Sequence, residues 1–544
     1  MSNSSGNAAA GTAADLDVAI IGAGFSGLYT LHRIRDVLKL KTRLLEAADG
    51  VGGTWYWNRY PGARCDSESH VYSYSFSKEL EQDWVWSSRY PEQPEILRYL
   101  NHVADRFDLR RDIQFDTRVT SATFDGSDNR WILTTSNGER VSARFVVAAV
   151  GCLSSRNTPN FPGVDTFAGE WYHTGAWPHD GVDFSGKRVG LIGTGSTGIQ
   201  ATPVIAAEAD HLSVFQRTAN YSVPARNEPL TPEMAALIKA NYAEIRETCR
   251  QSDFGFPYAA SERSSSDATL EEQHAVYNQM WELGGFRLFA ASFGDLLSDK
   301  AANDVAAEFV RNKIRETVED PATAELLCPN DHPYGTKRPP IDTDYYETFN
   351  RENVTLVDVR KAPIVEITPR GVKTEDAEYD LDIIVFATGF DAMTGSLLQM
   401  NIRGVDGLRL ADKWAEGPRT YLGLQIVGFP NLFTITGPGS PSVLTNMPVA
   451  IEQHVEWVSN CIEYLGKHGL SRIEATEEAQ DEWVQHVWET ASETLFPLAN
   501  SWYMGANIPG KPRVFLPYVG GMGQYRERCD EVVSNQYAGF ALQK

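Results

Sequence analysis

Two short apolar strands, each running into a glycine-rich turn and a helix, and a long charged, alanine-rich stretch beyond the second, predict an α/β fold: two Rossmann-like dinucleotide-binding domains with a helical insertion. The first strand is V-A-I-I after Asp17, followed by Gly22, Gly24 and Gly27 and a helix to about Lys39. The second is 189–192, followed by Gly193, Gly195 and Gly198. In each turn the first glycine permits the tight bend, the second lets backbone approach a pyrophosphate at the helix N-terminus, and the third lets helix pack on strand. Two later strands, R-F-V-V-A-A-V-G at 144–151 and D-I-I-V-F-A-T-G-F-D at 382–391, each run into a glycine in the same way, which agrees with a pair of dinucleotide-binding domains.

The residue after the next strand tells the two turns apart. Glu46 lies 24 residues beyond Gly22, and Arg217 the same 24 beyond Gly193. A carboxylate accepts hydrogen bonds from a ribose hydroxyl pair but repels a 2′-phosphate, whereas an arginine binds that phosphate through paired, charge-assisted bonds. The first turn, with Gly22, Gly24, Ser26 and Gly27, is therefore expected to hold FAD, and the second NADPH. Between them, V-G-G-T-W-Y-W-N-R-Y-P-G-A-R-C-D at 51–66 is too rich in glycine and proline for regular helix. Its Trp55, Trp57 and Tyr60 offer flat apolar walls for an isoalloxazine ring, and Tyr56 between them is counted with the cofactor-binding residues.

A chain of 544 residues divides into two to four domains, and 42% hydrophobic with 22% charged residues is a globular composition. A net charge of -23 argues against nucleic acid or an anionic membrane as a partner, so an NADPH site must be a local basic patch. Residues 1–14 read as a disordered lead without the features of a signal peptide, and no apolar run approaches the ~20 residues of a membrane span. A cytoplasmic location is expected. The six cysteines are scattered, with no C-x-x-C and no metal-ligand spacing, so no metal is expected.

Residues 223–330 have helical spacing in stretches such as A-N-D-V-A-A-E-F-V-R-N-K-I-R-E-T-V; the loop H-P-Y-G-T-K-R-P-P at 332–340 follows. A helix is predicted from Met447 to Leu465, and the tail at 499–512 reads as loop. Just before the second glycine turn stands F-A-G-E-W-Y-H-T-G-A-W-P, 167–178. Its Phe167, Gly169, His173, Trp177 and Pro178 resemble the fingerprint F-x-G-x-x-x-H-x-x-x-W-P of the Baeyer-Villiger monooxygenases, in their single-chain, FAD- and NADPH-dependent form. The likeness covers nearly the whole chain after residue 15.

The resemblance implies an FAD domain built from both ends of the chain (15–150 and 383–544), an NADPH domain between them (151–222 and 331–382), and the helical piece 223–330 inserted into the latter. It places flavin contacts on Glu46, Thr54, Trp55, Asp66, Tyr72, Val119 and Met447. Coenzyme contacts fall on Arg64, Thr194, Gly195, Ser196, Thr197, Gly198, Ile199, Gln200, Arg217, Thr218, Lys337 and Trp502. The active-site arginine falls on Arg338 with Asp66 as its partner, and Ser440, Pro441, Ser442, Val443 and Leu444 border the substrate pocket. The implied reaction inserts one oxygen atom of O2 beside a ketone carbonyl, through a C4a-peroxyflavin and a Criegee intermediate, and Arg338 would supply the positive charge both need. His173 is expected to fix the hinge between the nucleotide domains. A flavin N- or S-oxygenase shares both glycine turns; a non-catalytic NADPH or flavin sensor would share the turns but have no need of Lys337, Arg338 and Trp502 together.

Overall fold

A computed structural model describes residues 14–544. The lead anticipated over 1–14 lies outside the described residues except at Ala14, which opens the first strand. From Val18 to its end, that strand, Ala14–Ile21, is apolar without alternation because both faces of a parallel sheet are covered there, and Val18, Ala19 and Ile20 are fully buried. After Gly22 the chain enters helix Phe25–Leu31 and continues through a wider π turn, His32–Val37, two residues short of the anticipated end. Strand Thr42–Leu45 then delivers Glu46.

Two sheets carry the fold. In the first, strands Ala14–Ile21, Thr42–Leu45, Ile113–Gln114, Arg140–Ala148 and Leu432–Thr434 run parallel, so the Gly22 turn, Glu46, the 149–152 segment and the 435–442 loop emerge at one edge. That edge, outside the carboxyl ends of the strands, is where open α/β sheets bind ligands. The second sheet is wholly parallel, in the order Val354–Asp358, His211–Gln216, Arg188–Ile192, Ile383–Phe386, Glu170–His173. Here the structure corrects the sequence division. Strand Ile383–Phe386, placed at the start of the returning first unit, instead lies between Arg188–Ile192 and Glu170–His173, so the second unit runs at least to Phe386.

Residues 232–327 hold five α-helices and no strand. Helix starts are capped locally: Thr231, Thr269, Asp299 and Asp320 each accept a backbone N–H, and Thr269 with Glu272 forms a reciprocal capping box. The piece packs into the core of the second sheet, where Tyr277, Phe293 and Val310 share one apolar cluster with Val189 and Leu191. Its ends meet in a two-stranded parallel ribbon, Val223–Pro224 against Ile341–Asp342, which fixes where the 332–340 loop rejoins the sheet. Residues 51–66 are irregular except for one helical turn, Thr54–Trp57. Helix Met447–Lys467 matches its anticipated start, and no described helix is long and apolar enough to cross a membrane.

The glycines of the second turn differ in what they tolerate. A Cβ at Gly198 would overlap the carbonyl oxygen of Gly193, whereas one at Gly195 meets nothing within 4 Å. Gly198→Ala should therefore force a backbone shift worth about 1–3 kcal/mol and lower the unfolding midpoint by several degrees. Gly195→Ala should leave it within about 1 °C. Thermal scans of the two variants side by side make the comparison.

Candidate active site

The first turn has the shape that a dinucleotide requires. Gly22 has φ +101°, and a Cβ there or at Gly27 would collide with backbone oxygens of Ala149 or Gly22. Gly24 faces the backbone of Gly53, and Ser26 is buried in the first turn of the helix. Glu46 is 5% exposed, with its Oε2 accepting from the Ala23 amide at 2.6 Å and Oε1 from Ala48 at 2.8 Å. Burial raises its pKa although these amides oppose the rise. Each oxygen keeps a second lone pair, so a ribose diol still fits. Thr54 starts the helical turn; the Trp55 indole donates to Tyr72 Oη at 3.1 Å, and Tyr56 is bonded to Asp49 with Trp57 edge-on to its ring. Val119 is buried two residues after Thr117, whose amide bonds the Glu46 carbonyl at 2.7 Å, and Met447 opens its helix half-buried.

At the second turn Gly195 is exposed to open space at the helix N-terminus, with Ser196 and Thr197 beside it and Gly198 and Ile199 buried beneath. Thr194 is buried, and its Oγ1 donates to the Thr218 carbonyl at 2.8 Å. Arg217 is exposed and makes no hydrogen bond or ion pair among the described residues. Burial lowers the pKa of Lys337; Asp331, at 3.8 Å, opposes this, and the neighbouring charge of Arg217 adds to it. Two cations that repel one another across an open turn form the local basic patch that a 2′-phosphate needs. Gln200 is engaged elsewhere: its Oε1 accepts from Tyr60 Oη at 2.8 Å and its Nε2 donates to the Arg64 carbonyl at 3.2 Å, which ties the second unit's helix to the 60–64 loop of the first. The Arg64 side chain meets Glu92 at 3.0 Å.

Arg338 joins the units. Its Nε and Nη2 donate to the two oxygens of Asp66 at 2.6 and 3.0 Å, and its Nη1 donates to the Val443 carbonyl at 2.8 Å. The guanidinium also lies 4.6 Å from the Phe286 ring centre. Burial works against its charge, but Asp66 more than offsets that, and the pKa is raised above the ordinary arginine value. These partners use three of the five N–H donors, and the Tyr503 hydroxyl interacts with the same guanidinium. Arg338 lines a narrow pocket together with Phe254, Phe256, Phe286, Phe289, Leu444, Phe496 and Tyr503. A wider cleft of about 700 Å3 lies between helix Gln93–Arg106 and the 177–181 loop, and Arg338 does not line it. Trp502 is half-buried, its ring centre 4.3 Å from that of Tyr503.

Two expectations change. Ser440 and Ser442 are fully buried, and Ser442 Oγ lies 3.1 Å from both the Thr436 carbonyl and Cys152 Sγ, so these serines do not face the pocket; Leu444 does. Most of the aromatic wall comes from the helical insertion, to which the sequence reading gave no part in the site. The signal was four phenylalanines in S-D-F-G-F-P and G-G-F-R-L-F, breaks rich in glycine within a helical segment. His173 is 3% exposed, its Nδ1 accepting from Gly175 N at 3.0 Å while its Nε2 lies 3.2 Å from the Asn157 carbonyl. Burial lowers its pKa, so it stays neutral and structural between the two crossing segments.

The family model described as flavin-binding monooxygenase-like matches residues 15–228. Cyclohexanone 1,2-monooxygenase of Acinetobacter sp. is 45% identical over 97% of this chain and 97% of its own. Phenazine N-monooxygenase PhzNO1 of Lysobacter antibioticus is 46% identical over 97% of both. A solved structure described as oxidized steroid monooxygenase bound to NADP is 56% identical, covers 97% of this chain and 99% of its own, and superposes with a TM-score of 0.93. With two glycine turns, a charge fixed beside an apolar pocket and this likeness along the whole chain, the protein belongs to the flavin-binding monooxygenase-like family, within its Baeyer-Villiger group.

Proposed function

We propose that the chain binds FAD at the first glycine turn and NADPH at the second, and uses them to insert one oxygen atom of O2 beside a ketone carbonyl, converting cyclic or aryl ketones to lactones or esters. The net reaction consumes ketone, O2, NADPH and a proton and yields ester, NADP+ and water. Bound FAD supplies the redox chemistry, passing the electrons of NADPH to O2. Glu46, Thr54, Trp55, Tyr72, Val119 and Met447 would hold the flavin nucleotide; Thr194, the Gly195–Ile199 backbone, Arg217, Thr218, Lys337 and Trp502 would hold the coenzyme.

The observation that carries the reading is Arg338: a permanent charge, aimed by Asp66, in the lining of an otherwise apolar aromatic pocket. Attack on a carbonyl requires an oxygen nucleophile, and a fixed guanidinium both favours that anion and meets the negative charge arriving on the ketone oxygen. Oxidation of an amine or ring nitrogen, the reaction named for the phenazine relative, requires an oxygen electrophile, which the same charge does not assist. A ketone brings one acceptor and otherwise hydrocarbon, so phenylalanine walls suit it at about 25 cal/mol per Å2 buried. Asp66 aims Arg338 and does not touch substrate. The free, buried cysteines and the need for NADPH support a cytoplasmic setting with small-molecule partners.

Hydride transfer precedes the step that needs Arg338. Arg338→Ala should reduce its flavin near the normal rate anaerobically but form ester about 10²–10³-fold more slowly, releasing hydrogen peroxide in its place. Normal ester formation by this variant would overturn the assignment. For coenzyme choice, Arg217→Ala or Lys337→Ala should raise KM for NADPH by about 10- to 100-fold and that for NADH little; equal weakening toward both would place these residues away from the 2′-phosphate. On the pocket wall, Phe289→Ala or Leu444→Trp should shift the preference between a small and a bulky ketone by about ten-fold while leaving anaerobic reduction nearly intact. A ketone panel paired with reduction kinetics would show whether both changes miss the substrate.

A further inference from the structure

Two residues in the loop behind Arg338 occupy the left-handed region although neither is glycine: Thr436 at φ +54° and Ser442 at φ +42°. For a β-branched residue such as Thr436 this is an outlier, kept only where surroundings over-determine it. Its amide donates to Nδ1 of His454 at 2.8 Å. His454, two turns into helix Met447–Lys467, is fully buried. Its Nε2 lies 2.9 Å from the Tyr525 hydroxyl, which donates onward to the Leu422 carbonyl at 2.6 Å. Because Nδ1 accepts from an amide, the proton sits on Nε2 and is given to Tyr525; every polar atom of the pair is satisfied in one tautomer.

The contacts continue forward. The Thr436 carbonyl accepts from Ser442 Oγ at 3.1 Å, and the carbonyl of the next residue, Val443, accepts from Arg338 Nη1 at 2.8 Å. A leucine would fill the space of a fully buried histidine without the cost of desolvating two ring nitrogens. Packing therefore does not account for His454, whereas an acceptor aimed at one strained amide does.

We propose that His454 is a positioning residue for the oxygenation step: by holding Thr436 in its left-handed conformation it sets the Ser442–Val443 peptide, and through it the third hydrogen bond that orients Arg338. The inference rests on the reading of Arg338 given above. Asn offers Oδ1 where histidine offers Nδ1, so His454→Asn keeps the acceptor for Thr436, and His454→Leu keeps only the bulk.

The test uses FAD-loaded enzyme and compares ester formed per NADPH consumed with the anaerobic rate of flavin reduction. Misplacing a catalytic group by about 1 Å can cost up to ~100-fold. His454→Leu should accordingly lose coupling by roughly ten-fold with peroxide released, at a reduction rate within about two-fold, and His454→Asn should recover most of it. A crystal structure of the leucine variant supplies a readout apart from turnover: Thr436 should leave the left-handed region and the Arg338–Val443 bond should open. Coupling retained by folded His454→Leu, or lost equally with Asn, would overturn the proposal. Should neither variant fold, Tyr525→Phe, which strips the partner that orients the ring, decides in their place: it should uncouple, and unchanged coupling would end the idea. Arg338→Ala run alongside separates the two failures, since coupling retained there would remove the underlying reading and not only the role of His454.

Discussion

The ion pair between Arg338 and Asp66 is the constraint on which the arrangement depends. The two residues lie 272 positions apart, on loops of different units, and the third contact, Val443, belongs to the returning first unit. A half-buried pair of this kind adds little net stability, because desolvation cancels most of the attraction, yet removing one partner strands the other. Its value lies in place: the charge cannot drift from the pocket without unmaking the seam. Two more arginines of the helical piece cross the same seam. Arg246 reaches Glu81 and Ser73 at 2.8 Å, and Arg287 shares Glu68 with Arg89 at 2.9 Å. Arg246 and Arg287 thus dock the insertion on the first unit, beside the Arg338 pair, and Phe254, Phe256, Phe286 and Phe289 come with it to the pocket.

Consecutive residues of the 332–340 loop serve different units. Lys337 shares the second unit's open turn with Arg217, while Arg338 turns to Asp66 in the first. Lys337 lies in a bend and Arg338 directly after it, so one loop of glycine and proline faces both the second turn and the aromatic pocket. A shift of this loop made to grip a phosphate would be felt one residue later at the pocket.

The glycine turns and their acid and basic markers were legible because they are local: a bend, a close approach and a spacing of 24 residues all lie along the chain. Helix Met447–Lys467 was legible through its periodicity. The sheet membership of Ile383–Phe386 was not, since four buried apolar residues suit the middle of either sheet. Nor was the orientation of Ser442, because a one-residue change in a loop exchanges core for pocket. Phe254 and Phe286 each resemble ordinary core, and only the docking of the insertion brings them to the same cavity. The partnership of Asp66 with Arg338 came from likeness to a family, as no rule of spacing reaches across 272 positions.

The central position of Ile383–Phe386 bears on how the chain is made. Strand Glu170–His173 pairs with no other strand of its sheet, so it waits for about 200 further residues, roughly 10–40 s at ordinary rates of synthesis, with its edge unsatisfied. Arg188–Ile192 likewise lacks its neighbour on that side. During that interval the nascent protein carries an open β edge that invites pairing with other chains, and chaperone cover is worth most there. His173 contacts Thr388 only once the late strand has arrived, which makes the fingerprint histidine a clasp that closes on the last act of translation before the second sheet is whole.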